Sequence, residues 1–67
     1  MDLDLRQAVI TNIKGKSTEQ LKDMVEIAIV EKEEKTLPGL GVVFEVIWQH
    51  TDGQTKDTLI KTLSQYL

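Results

Sequence analysis

Cysteine is absent from this 67-residue chain, and proline, histidine and tryptophan each occur once. Without thiols the chain forms no disulfide and no thiolate metal site, and thiol catalysis is excluded. The single imidazole, His50, leaves no histidine pair for zinc. With 40% hydrophobic and 28% charged residues, the composition is typical of a globular protein and not of a disordered one.

Long apolar runs are also missing. The most apolar stretch, 37–48, contains Pro38 and Glu45 and is far shorter than the ~20 residues that a membrane span needs. The chain opens with acidic residues, whereas a signal peptide opens with positive charge. We therefore expect no membrane contact and a location in the compartment where the chain is made.

The charge balance is mildly acidic, with eleven acidic against eight basic residues and a net charge of −3. Small proteins that bind nucleic acid are usually basic, because neutralisation of phosphates supplies much of their affinity. Nucleic acid is therefore not the expected partner. Weak, non-specific DNA contact is left open by scattered basic residues, which are Arg6, Lys14, Lys56 and Lys61.

The first half of the chain predicts two amphipathic helices. The first covers 3–14 and ends before Gly15, which suits a left-handed C-cap. Ser17 and Gln20 then form a capping box at the start of the second helix. Its apolar residues repeat at i, i+3, i+4, i+7 and i+8, and they are Leu21, Met24, Val25, Ala28 and Ile29.

The third predicted helix, over about 38–50, is the most apolar. Pro38 suits its first position and should hold Leu37 in an extended conformation. The same helical repeat predicts a buried stripe, including the aromatic residues Phe44 and Trp48; the stripe consists of Leu40, Val43, Phe44, Ile47 and Trp48. We expect this helix to lie at the centre of the fold.

A fourth helix follows a second predicted capping box, formed by Thr51 and Gln54. The chain thus predicts an all-α fold, a compact bundle of four short helices in one small domain over 1–67. The structural alternative is an α-β-β-α arrangement with strands near 25–31 and 42–48, because both segments are rich in residues that favour strands.

No catalytic or cofactor-binding pattern is present. Ser17 or Ser64 could be drawn beside His50 and Asp52, but no strand–turn–helix elbow presents a nucleophile. The pair of glycines in 39–41 lacks the third glycine and the Lys-Ser/Thr of phosphate loops. We expect no enzyme activity, cofactor, metal or small-molecule substrate. His50 should instead stabilise the negative end of a helix.

The third helix also predicts an interaction surface. Val42 and Val46 lie off its main apolar stripe, and Gly39 and Gly41 would let another backbone approach closely. Because a core of this size is marginal, burial of such a surface in a homodimer would stabilise the chain. The surface consists of Leu37, Pro38, Gly39, Leu40, Gly41, Val42 and Val46.

Several stretches together resemble a known family. They are LDLRQAVI at 3–10, Glu19-Gln20-Leu21, and above all EEKTLPGLGVVFEVIW at 33–48. In order and at matching length they resemble the type I minor small acid-soluble spore proteins of endospore-forming Bacillus relatives. Val43 is a slight departure, since leucine is expected there.

The resemblance implies a non-enzymatic protein that is made in the forespore and accumulates in the spore core. Its expected role is protein contact or bulk core constituent, and it implies no reaction, cofactor or catalytic residue. The abundant α/β-type spore proteins coat DNA, but this type looks unrelated to them in sequence. Weak, non-specific DNA association in the spore core is the alternative function.

Overall fold

The computed structural model describes the backbone of residues 2–67 and the side chains of residues 5–67. The elements are α1 (Asp2–Ile13), α2 (Thr18–Glu31), a 3₁₀ turn (Glu34–Thr36), α3 (Leu37–Gln49) and α4 (Gly53–Gln65). No strand occurs within residues 2–67. The all-α prediction of four short helices is therefore confirmed.

The α-β-β-α alternative is wrong, because 25–31 lies in α2 and 42–48 lies in α3. Strand propensity depends on a pleated, half-buried setting that a neighbouring strand must supply. Here the local helix signals are stronger. The capping box starts α2, and four residues of its predicted stripe are half-buried at helical spacing, namely Leu21, Met24, Val25 and Ala28. The fifth, Ile29, is 56% exposed.

The link between α1 and α2 follows the local sequence. Gly15 has a φ of +87°, the left-handed conformation that glycine adopts without steric cost. The Ser17 hydroxyl accepts a hydrogen bond from the Gln20 backbone N–H at 3.1 Å, and the Gln20 side-chain oxygen accepts one from the Ser17 N–H at 2.9 Å. Both the C-cap and the capping box are thus confirmed.

The start of α3 corrects one prediction. Leu37 has φ −59° and ψ −43°, which is helical and not extended. Since the 3₁₀ turn runs directly into α3, Leu37 already belongs to the first helical turn and Pro38 follows within it. Proline is tolerated there because the first N–H groups of a helix have no intrahelical acceptor.

The N-cap of α4 is Asp52 and not Thr51. The Asp52 carboxylate accepts the Thr55 backbone N–H at 2.7 Å, while the Thr51 hydroxyl donates back to the Ile47 carbonyl oxygen near the end of α3. Aspartate is a better N-cap than threonine, and its charge also interacts favourably with the positive end of the helix dipole.

The helices pack loosely. The surface area is 5925 Å², whereas a folded chain of this mass typically exposes about 4,300 Å². The radius of gyration is 13.0 Å, against roughly 11 Å for a compact chain of this length. Among the described side chains only Val42 is buried, at 7% exposure. The core is therefore small and most apolar residues contact water.

The most extensive backbone contact between two α-helices is that of α1 with α3. A bidentate ion pair between Arg6 of α1 and Glu45 of α3 also joins these two helices. Within the described residues no helix is long and apolar enough to span a membrane. The packing of α1 against α3 determines which face of α3 points into the molecule.

Candidate interaction surface

One face of α3 points into the molecule and the opposite face is open. Val42 is buried, and at 3.6 residues per turn the positions opposite Val42 are those around Leu40 and Phe44. Leu37, Phe44 and Ile47 on that side are 59%, 50% and 49% exposed, and Leu40 is half-buried. We call these four residues, Leu37, Leu40, Phe44 and Ile47, the open α3 face.

The predicted interaction surface is divided by this orientation. Leu37, Pro38 and Gly41 are exposed, Val46 is 37% exposed, and Gly39 and Leu40 are half-buried. Val42 is not accessible, because it faces the interior of its own chain. The structure adds Phe44 and Ile47 to the exposed apolar residues of α3, and the sequence argument had placed both in the core.

The prediction that Phe44 is a core residue is therefore wrong, and Trp48 is only half-buried. Their ring centroids are 5.6 Å apart with a tilt of 35°, one helical turn from each other. The predicted helix is correct, but the predicted choice of its buried side is not. A helix that is apolar on nearly all sides offers no polar face to mark the outside.

Charged groups lie beside the open α3 face and not on it. Glu45 is the one charged residue of α3, and its Oε1 lies 2.8 Å from Arg6 Nε. This hydrogen bond lowers the pKa of the Glu45 carboxyl, because it favours the ionised form. On another side Lys56 Nζ of α4 lies 5.2 Å from the centre of the Trp48 ring, a cation–π contact.

The residues that could suggest catalysis serve helix ends. His50 Nδ1–H donates to the Val46 carbonyl oxygen at 2.9 Å, at the C-terminus of α3 as expected. The backbone N–H of Thr55 lowers the pKa of Asp52 by donating to its carboxylate. Ser17 belongs to the capping box of α2. Across the part of the chain that the structure describes, no group of three or more residues is placed to hold a metal ion.

Two open grooves lie where α1, α2 and α3 meet, with volumes of about 430 and 390 Å³. Both are lined by Ile13, Met24 and Val43. They show where the three helices leave the apolar interior partly unfilled. The fold thus defines a small helical protein with a thin core, polar groups committed to helix ends and an exposed apolar helix face.

Comparisons with known proteins give the family. A sequence model described as "Small, acid-soluble spore protein I" matches residues 3–67. A relative of that name from Bacillus licheniformis is 54% identical over all of this chain and 96% of its own length. One from Bacillus subtilis is 56% identical over 94% of this chain and 89% of its own, and one from Geobacillus kaustophilus is 51% identical over 97% and 94%. No solved structure shows significant similarity.

The chain belongs to the small, acid-soluble spore protein I family. It is therefore a spore protein, and the description of the family names no enzyme activity. The resemblance inferred from 3–10 and 33–48 is confirmed.

Proposed function

We propose that this protein is a non-enzymatic constituent of the spore core, made in the forespore, that acts through contacts with other protein surfaces. The observation that carries this proposal is the open α3 face, where large apolar side chains remain about half exposed. Exposed apolar surface of this kind is typical of protein–protein contact sites. Family membership supports a location in the spore, and the resemblance in sequence supports the core as the location within it.

The local chemistry supports a role without catalysis. His50, Asp52 and Ser17 are each engaged in a hydrogen bond that closes or starts a helix. A general base must reach the proton that it removes and a nucleophile must be next to its base. These three groups instead have separate structural tasks at three different helix ends.

The DNA alternative receives little support from the basic side chains. Arg6 is paired with Glu45, and Lys56 lies on the Trp48 ring. The net charge of −3 repels a polyanion, whereas non-specific binding requires several cations aimed at phosphates. Protein contact through an uncharged face is the better-supported role.

A gel-shift titration with duplex DNA tests this role most directly. At low salt we expect no retardation of the duplex up to high micromolar protein. Retardation that weakens as salt is added would show phosphate contacts and would overturn the proposal in favour of DNA association. In that case charge-removing substitutions at Arg6, Lys14, Lys56 and Lys61 would identify the contact surface.

The location is tested separately, with antibody labelling of thin sections through sporulating cells and mature spores. We expect the label inside the forespore and later inside the core. Label in the mother cell or in the outer spore layers would overturn the proposed location. Activity of the purified protein plays no part in this test, so it is independent of the gel shift.

A further inference from the structure

We propose that two copies of this chain associate through their open α3 faces, forming a symmetric dimer in which the same residues of both copies are in contact. This inference rests on the proposed function, because it names the partner that the protein contacts engage. The surface differs from the one predicted from sequence. Its central residues are Phe44 and Ile47, with Leu37 and Leu40 preceding them, and Val42 is not part of it.

The spacing of the open α3 face suits helix–helix pairing. Leu37, Leu40, Phe44 and Ile47 stand at i, i+3, i+7 and i+10, the a and d positions of two successive heptads. In this register Val42 takes position f, which lies farthest from an a/d seam. Val42 is the residue buried within the chain, and Leu37 and Phe44 lie on the side of α3 away from it. Leu40 and Ile47, at the edge of the open α3 face, also line the grooves that α3 forms with α1 and α2.

The absence of charge on the open α3 face permits contact between two copies there. Each copy carries a net charge of −3, so two copies repel each other unless an uncharged surface is available. The open α3 face has no charged residue, and the nearby Glu45 carboxylate is already paired with Arg6 within its own chain. Two copies can therefore meet there without placing like charges in contact.

The exposed area leaves apolar surface available for a second copy. The chain exposes 5925 Å², roughly 1,600 Å² more than is typical of its mass. That excess is spread over all four helices, including Ile27, Val30 and Ile60, so the open α3 face supplies only part of it. A contact made by this face is therefore small, and we expect a reversible dimer in place of an obligate one.

A seam on α3 alone would be short, because thirteen residues give a helix of only about 20 Å. Helix α4 can extend it. Ile60 and Leu63 are 48% and 53% exposed and share a face of α4 with Lys56, which lies on Trp48. Because Trp48 borders the open α3 face, we expect α4 to contribute to the contact.

Sedimentation equilibrium of the full chain, from low to high micromolar concentration, tests the dimer. We expect a monomer–dimer equilibrium that F44E weakens by at least about tenfold. The matched control is I27E, because Ile27 on α2 is similarly exposed, 56% against 50% for Phe44, and the substitution adds the same charge. I27E should change the dissociation constant by less than about threefold.

Two results would overturn the inference. One is a wild-type chain that stays monomeric at every concentration, and the other is a dimer that I27E weakens as much as F44E. Circular dichroism of each variant shows whether the helices are retained. If F44E loses helicity, L37E decides the question, because Leu37 is 59% exposed and its first-turn position favours a carboxylate.

The failure of this inference and the failure of the proposed function are distinguishable. A strictly monomeric chain that does not retard DNA would remove the dimer but leave a role in contacts with other proteins. Salt-sensitive retardation of DNA would overturn that role whether or not the chain dimerises.

Discussion

Arg6 and Glu45 are joined by two hydrogen bonds across 39 positions of the chain, from Nε to Oε1 at 2.8 Å and from Nη2 to Oε2 at 3.4 Å. The first residue belongs to α1 and the second to α3. Bidentate pairing of a guanidinium with a carboxylate fixes direction as well as distance. Both side chains are about half exposed, so the pair contributes little free energy, and it lies on the side of α3 that faces α1.

Acid should weaken the fold through this pair. Arg6 holds the pKa of Glu45 below its ordinary value of 4.5. A depressed carboxyl pKa contributes stability that is fully present above the unfolded-state value and is lost as pH falls through the folded-state value. Urea midpoints measured at neutral pH and at steps below 4.5 should therefore fall for the wild type, and E45Q should remove part of that fall.

A second glutamate provides the control for this comparison. Glu26 on α2 has no ion-pair partner among the described residues, so E26Q should leave the pH dependence of the wild type intact. An E45Q protein with the same acid sensitivity as the wild type would contradict a stabilising role for the pair. The Asp52 cap contributes to the acid sensitivity that persists in E45Q, since its pKa is also lowered.

The burial of Val42 predicts opposite effects for two identical substitutions. V42A removes two buried methyl groups and should lower the free energy of unfolding by about 1–2 kcal/mol. V30A should instead be neutral or raise it by about 0.5 kcal/mol, because Val30 is 77% exposed and alanine is the better helix former. Urea unfolding at neutral pH measures both, and equal effects would contradict the packing of α3 against α1.

The capping box of α2 predicts that loss of the Ser17 hydroxyl destabilises the chain. S17A removes the hydroxyl that accepts the Gln20 N–H and should destabilise the chain by about 1 kcal/mol. For a domain of this size, that corresponds to a fall of about 4–8 °C in melting temperature. The control is S64A, because Ser64 lies within α4, whose caps are Asp52 and Tyr66. A thermal melt in which both variants behave alike would contradict the cap.

The helices could be predicted because their signals are local. Gly15, Ser17 and Gln20 act within a few residues of one another, so the end of α1 and the start of α2 are encoded where they occur. Even so, the cap of α4 is Asp52 and not Thr51, because the Thr51 hydroxyl donates to the Ile47 carbonyl oxygen and the Asp52 carboxylate accepts the Thr55 N–H. Local patterns therefore identify the helix, and they place its N-cap to within one residue.

The orientation of α3 could not be predicted, because α3 is apolar on almost every side. Periodicity identifies the inner face only when the outer face is polar. The choice between Val42 and Phe44 as the inward residue is made by α1, through packing and through the Arg6–Glu45 pair. Such a contact between distant segments has no signature in the local sequence.

The place of Trp48 between two elements has an optical consequence. It is the one tryptophan of the chain, half-buried, with Phe44 on one side and the Lys56 ammonium over its ring. Its emission therefore reports on the environment at the junction of α3 and α4 without any attached dye. Because Trp48 also borders the open α3 face, association of two copies there would change the same signal with concentration. Fluorescence of a single native ring then measures unfolding in a denaturant titration and the proposed association in a dilution series.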